Sequence, residues 1–488
     1  MTEAPRTRPL LSWIGGAGVD ALGRLALLTA STALFSRVLS PRDFGVTALV
    51  LTFVAVAAVF VGMPFEEALA QRKHLRRIHL DAALGVSWAM GAAILALSCL
   101  AGTALARVYN EPEVAALLPV SMLSIFFTGH TAILTALARR LRRFNDIAFA
   151  SLIGHAVGIA ASLVVLWAGG GLWALIANRL LISAAVAVLL QARIGFLITP
   201  RWSKAHIDGF RRFAGLSFLD RLTDNLTYLI FNNVVEIVYG ASILGYVNMA
   251  MRLIEPIRGA VAATGHNLAF SFFAPVCRDR ARLGDLAEIV VSRTSLMVAP
   301  IFVGLAAVTP VLLPLIAGPG WNDAIGVAVC LAIGCALASP PRLIFTALSA
   351  GARPEYALAS TVASLIVTLL VLFGAAALGP ISVGFSRVAG DATRAAIAIG
   401  LSSRDMRWSR RRRWATLAPA WILSSAMGLI VALAALGAPI PNPWALLMFL
   451  VSLGAAVYLA LLALFARSHL QSLFALVRPR RRVAAAAR

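Results

Sequence analysis

Charged side chains, and acidic ones above all, are scarce in this sequence. Only 13% of its 488 residues are charged, with 21 acidic residues against 43 basic ones, whereas 60% are hydrophobic. Soluble globular domains carry about 25% charged residues and fewer apolar ones. The composition excludes an ordinary soluble domain, and with a mean hydropathy of +0.86 it predicts an integral membrane protein.

Signatures of metal proteins and of nucleotide-driven pumps are also missing. Cys99, Cys277, Cys330 and Cys335 are scattered without metal-ligand spacing, so we expect neither a disulfide framework nor a metal site. No loop has the phosphate-binding pattern GxxxxGKS or GxxxxGKT, and the N-terminus does not resemble a signal peptide. We therefore expect no cofactor and no ATP hydrolysis. The net charge of +22 lies mainly in short loops, so we expect no nucleic-acid partner either.

Apolar stretches of about 20 residues follow one another along nearly the whole chain, the length of a helix that crosses a bilayer. We predict an all-α integral membrane protein with about 14 transmembrane helices, arranged as two pseudo-repeated six-helix lobes and a C-terminal helix pair. The expected parts are an N-terminal lobe at residues 1–194, a cytoplasmic linker at 195–212, a C-terminal lobe at 213–401, a basic cytoplasmic loop at 402–414, the helix pair at 415–467 and a basic cytoplasmic tail at 468–488.

An internal repeat supports the two lobes. The hairpin Trp13–Lys73 is repeated in Gly215–Met251, where Asp220 stands in the place of Asp20 and Gly245 in the place of Gly45. Internal repeats in a polytopic protein are typical of transporters whose site lies between the repeats. Basic residues cluster in alternate loops, which predicts that both termini are cytoplasmic.

Charged residues also occur inside the predicted spans, where ionised groups are costly and face protein or water. Asp20 and Arg24 lie four residues apart in the first span, so they can form an ion pair between helices or line a pathway. The span at 213–238 is predicted to have a single polar face, which faces water. That face comprises Asp220, Arg221, Asp224, Tyr228 and Asn232.

Arginine exceeds the acids among these groups, although helix pairing alone favours a balance of sign. A surplus of guanidinium in a water-filled cavity suits an anionic passenger, because the planar group binds phosphate with two parallel hydrogen bonds. The candidate substrate-binding cations are Arg24, Arg179, Arg221, Arg252, Arg258, Arg342 and Arg387. The candidate carriers of a coupling ion are Asp20, Asp220, Asp224, Glu255 and Asp391. Simple pairing between helices stays the alternative for each.

The stretch Phe35–Lys73 reads FSRVLSPRDFGVTALVLTFVAVAAVFVGMPFEEALAQRK, and a GLWAL segment begins at Gly171. Both resemble the polysaccharide transporter, or O-unit flippase, family of the multidrug/oligosaccharidyl-lipid/polysaccharide exporter superfamily. One departure from the family pattern is the acidic pair at Glu66 and Glu67, where the family commonly has fewer acids.

The resemblance implies two six-helix lobes around a central cavity that opens alternately to each side of a bacterial inner membrane. It implies export of undecaprenyl-diphosphate-linked oligosaccharide for O-antigen, exopolysaccharide or capsule assembly, with a polysaccharide polymerase and glycosyltransferases as possible partners. A lipid II flippase and a multidrug or cation antiporter of the same superfamily are alternatives. A membrane glycosyltransferase or polymerase is the alternative from the enzyme class. The short loops favour a protein that is not an enzyme.

Overall fold

The computed structural model describes residues 23, 25–72, 75–201, 216–273, 276, 279–350, 355–406 and 408–465. Within these ranges the regular structure is helical, without strands. The helices are α1 (Leu25–Ser36), α2 (Pro41–Gln71), α3 (Arg77–Val108), α4 (Val114–Met122), α5 (Ser124–Arg140), α6 (Phe144–Trp167), α7 (Trp173–Ile194), α8 (Leu216–Tyr239), α9 (Ala241–Phe273), α10 (Arg280–Ala317), α11 (Ala324–Ala338), α12 (Arg342–Ala350), α13 (Glu355–Gly374), α14 (Pro380–Asp405), α15 (Arg410–Gly437) and α16 (Pro443–Phe465), with short 3-10 turns at Pro319–Trp321 and Ala376–Leu378.

The chain forms two compact units, Met1–Arg252 and Leu253–Arg488, and the division falls inside α9. Helix α2 is the centre of the first unit, where it packs against α3, α4, α5 and α8. Its start is fixed by a capping box, in which Ser40 accepts from the backbone N–H of Asp43 and the Asp43 carboxylate accepts from the backbone N–H of Ser40. Pro41 at the first helical position has no N–H that would need a partner.

The long helix α10 is the centre of the second unit, where it packs against α11, α15 and α16. Two hydrogen bonds from the C-terminal region reach its backbone. Trp408 Nε1 donates to the carbonyl of Gly284 at 3.0 Å, and the Tyr458 hydroxyl donates to that of Leu296 at 2.6 Å. These donors satisfy buried polar groups while fixing the final helix pair on the unit.

Nine of the described helical spans are long and apolar enough to cross a membrane, or ten when α11 and α12 count as one bent span. Helices α8, α9 and α14 are long enough to cross a membrane. They fall outside that apolar set because they carry charged residues of the predicted site. The prediction of an all-helical, multi-pass membrane protein is confirmed. The count of fourteen stays a prediction.

Helices α11 and α12 bend by 42° relative to each other. Pro340 and Pro341 lie at the break, and neither has an N–H to continue the helical hydrogen bonds. The bend places Arg342 at the first position of α12, beside the opened backbone. In the first unit, α4 and α5 form a comparable interrupted span that breaks at Leu123.

Candidate functional site

The starts of α2 and α9 pack directly backbone to backbone within the first unit. A Cβ at Gly45 would overlap the carbonyl of Ala241, and a Cβ at Gly245 would overlap that of Pro41. The contact is reciprocal, because Gly45 and Gly245 are equivalent positions of the sequence repeat, and so are Pro41 and Ala241. Reciprocal contacts of this kind are what a two-fold relation between repeats produces.

This close packing brings Arg252 of α9 beside α2. Its Nε donates to Asn248 Oδ1 at 3.0 Å, and its Cζ lies 5.0 Å from the centre of the Phe44 ring. Both partners are uncharged, and within the described ranges no carboxylate forms an ion pair with Arg252. An amide and an aromatic face orient a guanidinium but do not neutralise it. Arg252 is therefore held at a half-buried position without a carboxylate that would neutralise it.

Three further predicted site residues of the first unit are exposed. Arg179 lies in the apolar helix α7, and Arg221 and Asp224 lie on α8. None of the three forms an ion pair with another residue that the structure describes. Because charged side chains at membrane depth do not face lipid without cost, these three residues stay candidates for contact with an aqueous space.

The predicted polar face of α8 is interrupted at Asn232. This side chain is only 1% exposed, and its Nδ2 donates to Thr52 Oγ1 of α2 at 2.9 Å. The prediction of one continuous water-facing side is therefore wrong at this residue. Helical periodicity placed Asn232 correctly on the face of Asp224, but α2 covers that face at the level of Thr52.

Four predicted site residues come together in the second unit. Arg258 donates to Glu255 Oε2 through Nε at 2.9 Å and through Nη2 at 2.7 Å. The charges of Arg258, Glu255, Asp391 and Arg342 all act on the thiol of Cys335, so the four groups share one electrostatic environment. The cluster holds two arginines and two acids, so it is balanced in formal charge, unlike the surroundings of Arg252.

Asp391 occupies a space that a glycine provides. A Cβ at Gly334 of α11 would lie only 2.8 Å from Asp391 Oδ2, so the carboxylate of α14 sits directly against the α11 backbone. Arg387, one turn earlier on α14, is half-buried like Asp391. The remaining predicted residues lie outside what the structure describes, namely Asp20, Arg24 and the side chain of Asp220.

A second charged group, which the sequence analysis missed, lies where α2 begins and α3 ends. Arg42 forms ion pairs with both Glu111 and Glu113 of the loop between α3 and α4. Next to it, the Tyr109 hydroxyl donates to Asn233 Oδ1 of α8. The available signal was the pair of acids in the loop sequence YNEPE, in a chain where acids are rare. We refer to Arg42, Tyr109, Glu111, Glu113 and the nearby Glu236 as the α2–α8 end cluster.

The loop members of this cluster titrate unusually. Burial raises the pKa of Glu111 even though Arg42 acts in the opposite direction. The pKa of Glu113 is lowered, chiefly by a hydrogen bond from its own backbone; burial opposes this shift and Arg42 adds to it. Burial and the neighbouring Glu236 carboxylate raise the pKa of Tyr109. Burial therefore sets the direction of the shift at Glu111, and a backbone hydrogen bond sets that at Glu113.

The departure from the family pattern at Glu66 also has a structural partner. Arg139 Nη1 of α5 lies 2.6 Å from Glu66 Oε1, near the end of α2 opposite to Arg42. Glu66 is neutralised locally, and it is not part of either charged group described above.

A groove lined by apolar residues opens on the surface of the second unit between α10, α15 and α16. Its volume is about 480 Å³. Its lining includes Pro300, Gly304, Met427, Leu450 and Gly454. The absence of charge in this lining suits a hydrocarbon chain and not a hydrated headgroup.

The family described as "Polysaccharide biosynthesis protein" matches residues 34–326, more than half of the chain. The chain belongs to this family. Two relatives match over 353 residues, or 70% of the chain. The succinoglycan biosynthesis transport protein ExoT of Rhizobium meliloti (strain 1021) is 24% identical over 69% of its own length, and the lipopolysaccharide biosynthesis protein WzxC of Escherichia coli (strain K12) is 22% identical over 70% of its length.

Among solved structures, the lipid II flippase MurJ in an inward closed conformation aligns with a TM-score of 0.76 at 14% identity, over 92% of this chain and 98% of that protein. At this identity the likeness shows the fold alone. The resemblance inferred from Phe35–Lys73 and from the segment at Gly171 is confirmed, and the chain is a membrane transport protein of polysaccharide biosynthesis.

Proposed function

We propose that this protein is a flippase that moves a polyprenyl-diphosphate-linked oligosaccharide from the cytoplasmic to the outer leaflet by alternating access. The observation that carries the proposal is that a chain of the polysaccharide biosynthesis family holds the uncompensated guanidinium of Arg252 among its membrane helices. The likeness to ExoT, a succinoglycan biosynthesis transport protein, supports a transporter and not an enzyme.

Arg252 is the proposed main contact for the diphosphate. The neutral partners Asn248 and Phe44 hold its side chain while leaving its charge available. A diphosphate offers paired oxygens that match the planar guanidinium, and the resulting hydrogen bonds are stronger than those between neutral groups. Arg179 and Arg221 are exposed and add positive charge without carboxylate partners among the described residues. Arg24, Arg342 and Arg387 complete the proposed set of substrate-binding cations.

Arg258 has a different proposed role. Its pairing with Glu255, beside Asp391, makes the balanced cluster of the second unit a candidate place for coupling, where a carboxylate can take up a proton or a cation. Glu255 and Asp391 therefore join Asp20, Asp220 and Asp224 as proposed carriers. The groove between α10, α15 and α16 is proposed to hold part of the polyprenyl chain, since its lining is apolar and it lies on the outside of a membrane protein.

The proposed organisation is a lobe of six helices that ends at residue 194, a second lobe of six helices at residues 213–401 and a final helix pair that begins at residue 415. The proposed location is a bacterial inner membrane, with both termini in the cytoplasm. The alternation of basic loops supports this orientation. A polysaccharide polymerase and glycosyltransferases are the proposed neighbours, because they would consume and supply the lipid-linked repeat unit.

The direct test uses the purified protein in liposomes that contain a fluorescent polyprenyl-diphosphate oligosaccharide. A membrane-impermeant quencher reports how much of the probe reaches the outer leaflet. We expect a larger quenched fraction with the protein than with empty liposomes, and no effect of added ATP.

Two comparison probes separate the alternatives. Lipid II in the same assay would move at least as fast as the oligosaccharide probe if this were a lipid II flippase. Efflux of a cationic dye, without movement of either lipid, would identify a multidrug antiporter. Movement of neither lipid above the empty-liposome rate would contradict the proposal.

A further inference from the structure

Two carboxylates bind a single guanidinium in the α2–α8 end cluster, and a third carboxylate lies near them. Arg42 Nη1 and Nη2 lie 3.2 Å and 3.1 Å from Glu113 Oε1, and Arg42 also binds both oxygens of Glu111. Both acids belong to the loop between α3 and α4. The third acid, Glu236, comes from α8, the helix that packs against α2. The charges of Glu111 and Arg42 act on Glu236, so the three groups lie close together.

Glu236 is the acid that the guanidinium does not reach. Its side chain is only 4% exposed, and its buried Oε2 has no hydrogen-bond partner among the residues described. A buried ionised carboxylate without donors is strongly destabilised, and a like charge nearby increases the cost. A proton on Oε2 removes the charge and turns an unsatisfied acceptor into a donor. The surroundings therefore favour the neutral acid.

Solvent reaches the cluster from one side. The side chain of Glu113 is 35% exposed and that of Arg42 is 42% exposed, whereas the side chain of Glu111 is only 11% exposed. Exposure thus falls from the loop surface towards Glu236. The groups facing Glu236 are Arg42 from α2, Tyr109 from the end of α3, and Glu111 from the loop, with Asn233 one turn earlier on its own helix.

We propose that Glu236 is a proton-binding site that controls the packing of the end of α8 against α2 and α3. A proton from solvent binds the Glu236 carboxylate to give the neutral acid, and its release returns the proton to solvent and leaves the charged form. In the neutral form, α8 keeps the Tyr109 to Asn233 hydrogen bond and the close fit to α2. In the charged form, repulsion from Glu111 and the desolvation of the carboxylate favour separation of this end.

Two observations make the protonation of Glu236 sensitive to the neighbouring groups. Burial raises the pKa of Glu111, so the packing of the cluster acts on that acid as well as on Glu236. The hydroxyl of Tyr109 is already engaged with Asn233, so it does not compensate the charge of Glu236. As part of the proposed flippase, and resting on its proposed orientation, the site lies at the outer end of the helices, where proton release would favour opening to the outside.

The test follows the protonated carboxyl directly, by infrared difference spectroscopy of the full-length protein in lipid nanodiscs during a pH titration. At neutral pH we expect a carboxylic C=O stretch that disappears as the pH rises. The band should be lost in Glu236→Gln and retained in the matched control Glu113→Gln, which removes an exposed acid from the same cluster. A band that survives in Glu236→Gln, or that is absent from the parent protein, would overturn the proposal.

A second variant keeps the test decisive if Glu236→Gln does not fold. Glu111→Gln removes the neighbouring like charge, so the band should disappear at a lower pH than in the parent. An unchanged midpoint would contradict the coupling of these two acids. The infrared result needs no lipid-linked substrate, so it can succeed where the transport assay fails, and the two proposals are judged separately. In that assay, Glu236→Gln is expected to weaken the dependence of the transport rate on pH, because the proposed coupling carboxylates remain.

Discussion

The two halves of α9 carry similar sequence features but have different structural environments. The half up to Arg252 belongs to the first unit, where Gly245 allows backbone contact with α2. The half from Leu253 belongs to the second unit, and Gly259 there has nothing within 4 Å of an added Cβ. Each half contains one arginine of the predicted site. Arg252 has an amide and an aromatic ring as partners, whereas Arg258 has a carboxylate.

Burial and charge alone do not distinguish these two arginines. Both side chains are half-buried and both lie on the polar side of α9. An arginine paired with an acid at 2.7 Å has already used its strongest hydrogen bonds, and an incoming phosphate must compete with that acid. An arginine held by neutral groups is preorganised and still available. The partner of the guanidinium therefore separates the two proposed roles.

The largest effect is expected from the glycines of the two halves. Gly245→Leu forces a side chain into the carbonyl of Pro41 and should destabilise the protein by about 3 kcal/mol or more, the upper end for overpacking. Gly259→Leu is the matched control, and it should be neutral or stabilising, since leucine favours a helix over glycine by roughly 1 kcal/mol. Thermal unfolding in detergent measures both. Equal melting temperatures for the two variants would contradict the close packing of α2 and α9.

The second-largest effect is expected from the two arginines of α9, Arg252 and Arg258. Arg252→Ala should weaken binding of the diphosphate probe by about tenfold to a hundredfold, the equivalent of about 1.5–3 kcal/mol for a hydrogen bond to a charged group. Arg258→Ala should weaken it much less, because its guanidinium is engaged with Glu255. Arg252→Lys should recover part of the affinity, since it keeps the charge but not the planar geometry. Competition binding in nanodiscs measures all three. A greater loss in Arg258→Ala than in Arg252→Ala would reverse the assignment.

The support of Arg252 can be tested through Asn248. Asn248→Ala removes the acceptor at 3.0 Å from Arg252 Nε and should weaken binding of the probe about twofold to fivefold, the equivalent of roughly 0.5–1 kcal/mol. Asn225→Ala on α8, whose side chain donates to the backbone carbonyl of Arg221 and not to a guanidinium, is the control and should leave binding unchanged. If Asn248→Ala binds the probe as tightly as the parent protein and only the control loses binding, Asn248 does not position the guanidinium.

The smallest effect is expected from making Arg258 resemble Arg252. Glu255→Gln replaces the carboxylate with a neutral amide and should cost about 0.5 kcal/mol of stability, because the two side chains are 32% and 38% exposed and solvent screens the pair. Arg258 should then bind the diphosphate probe modestly more tightly. Weaker binding in Glu255→Gln, at unchanged melting temperature, would show that Glu255 itself supports the substrate.

Most of the architecture could be predicted from the sequence. Apolar stretches of membrane length predicted an all-helical, multi-pass protein, and the motif in Phe35–Lys73 indicated the family that the comparisons confirm. The repeat placed Gly45 and Gly245 at equivalent positions, and their reciprocal packing agrees with that equivalence. These features depend on the local order of apolar and small residues, which is written directly in the chain.

Only the tertiary structure decided which polar groups meet. Helical periodicity assigned Asn232 to a polar face, but it could not show that α2 covers that face, because it does not specify the neighbouring helix. Arg42 and Glu111 are far apart in the sequence, and their pairing arises from the packing of α2 beside the end of α3. The different partners of Arg252 and Arg258 have the same origin. The sequence determines where a charge lies along its helix, whereas the packing of helices determines whether that charge is neutralised, buried without a partner or left free to bind.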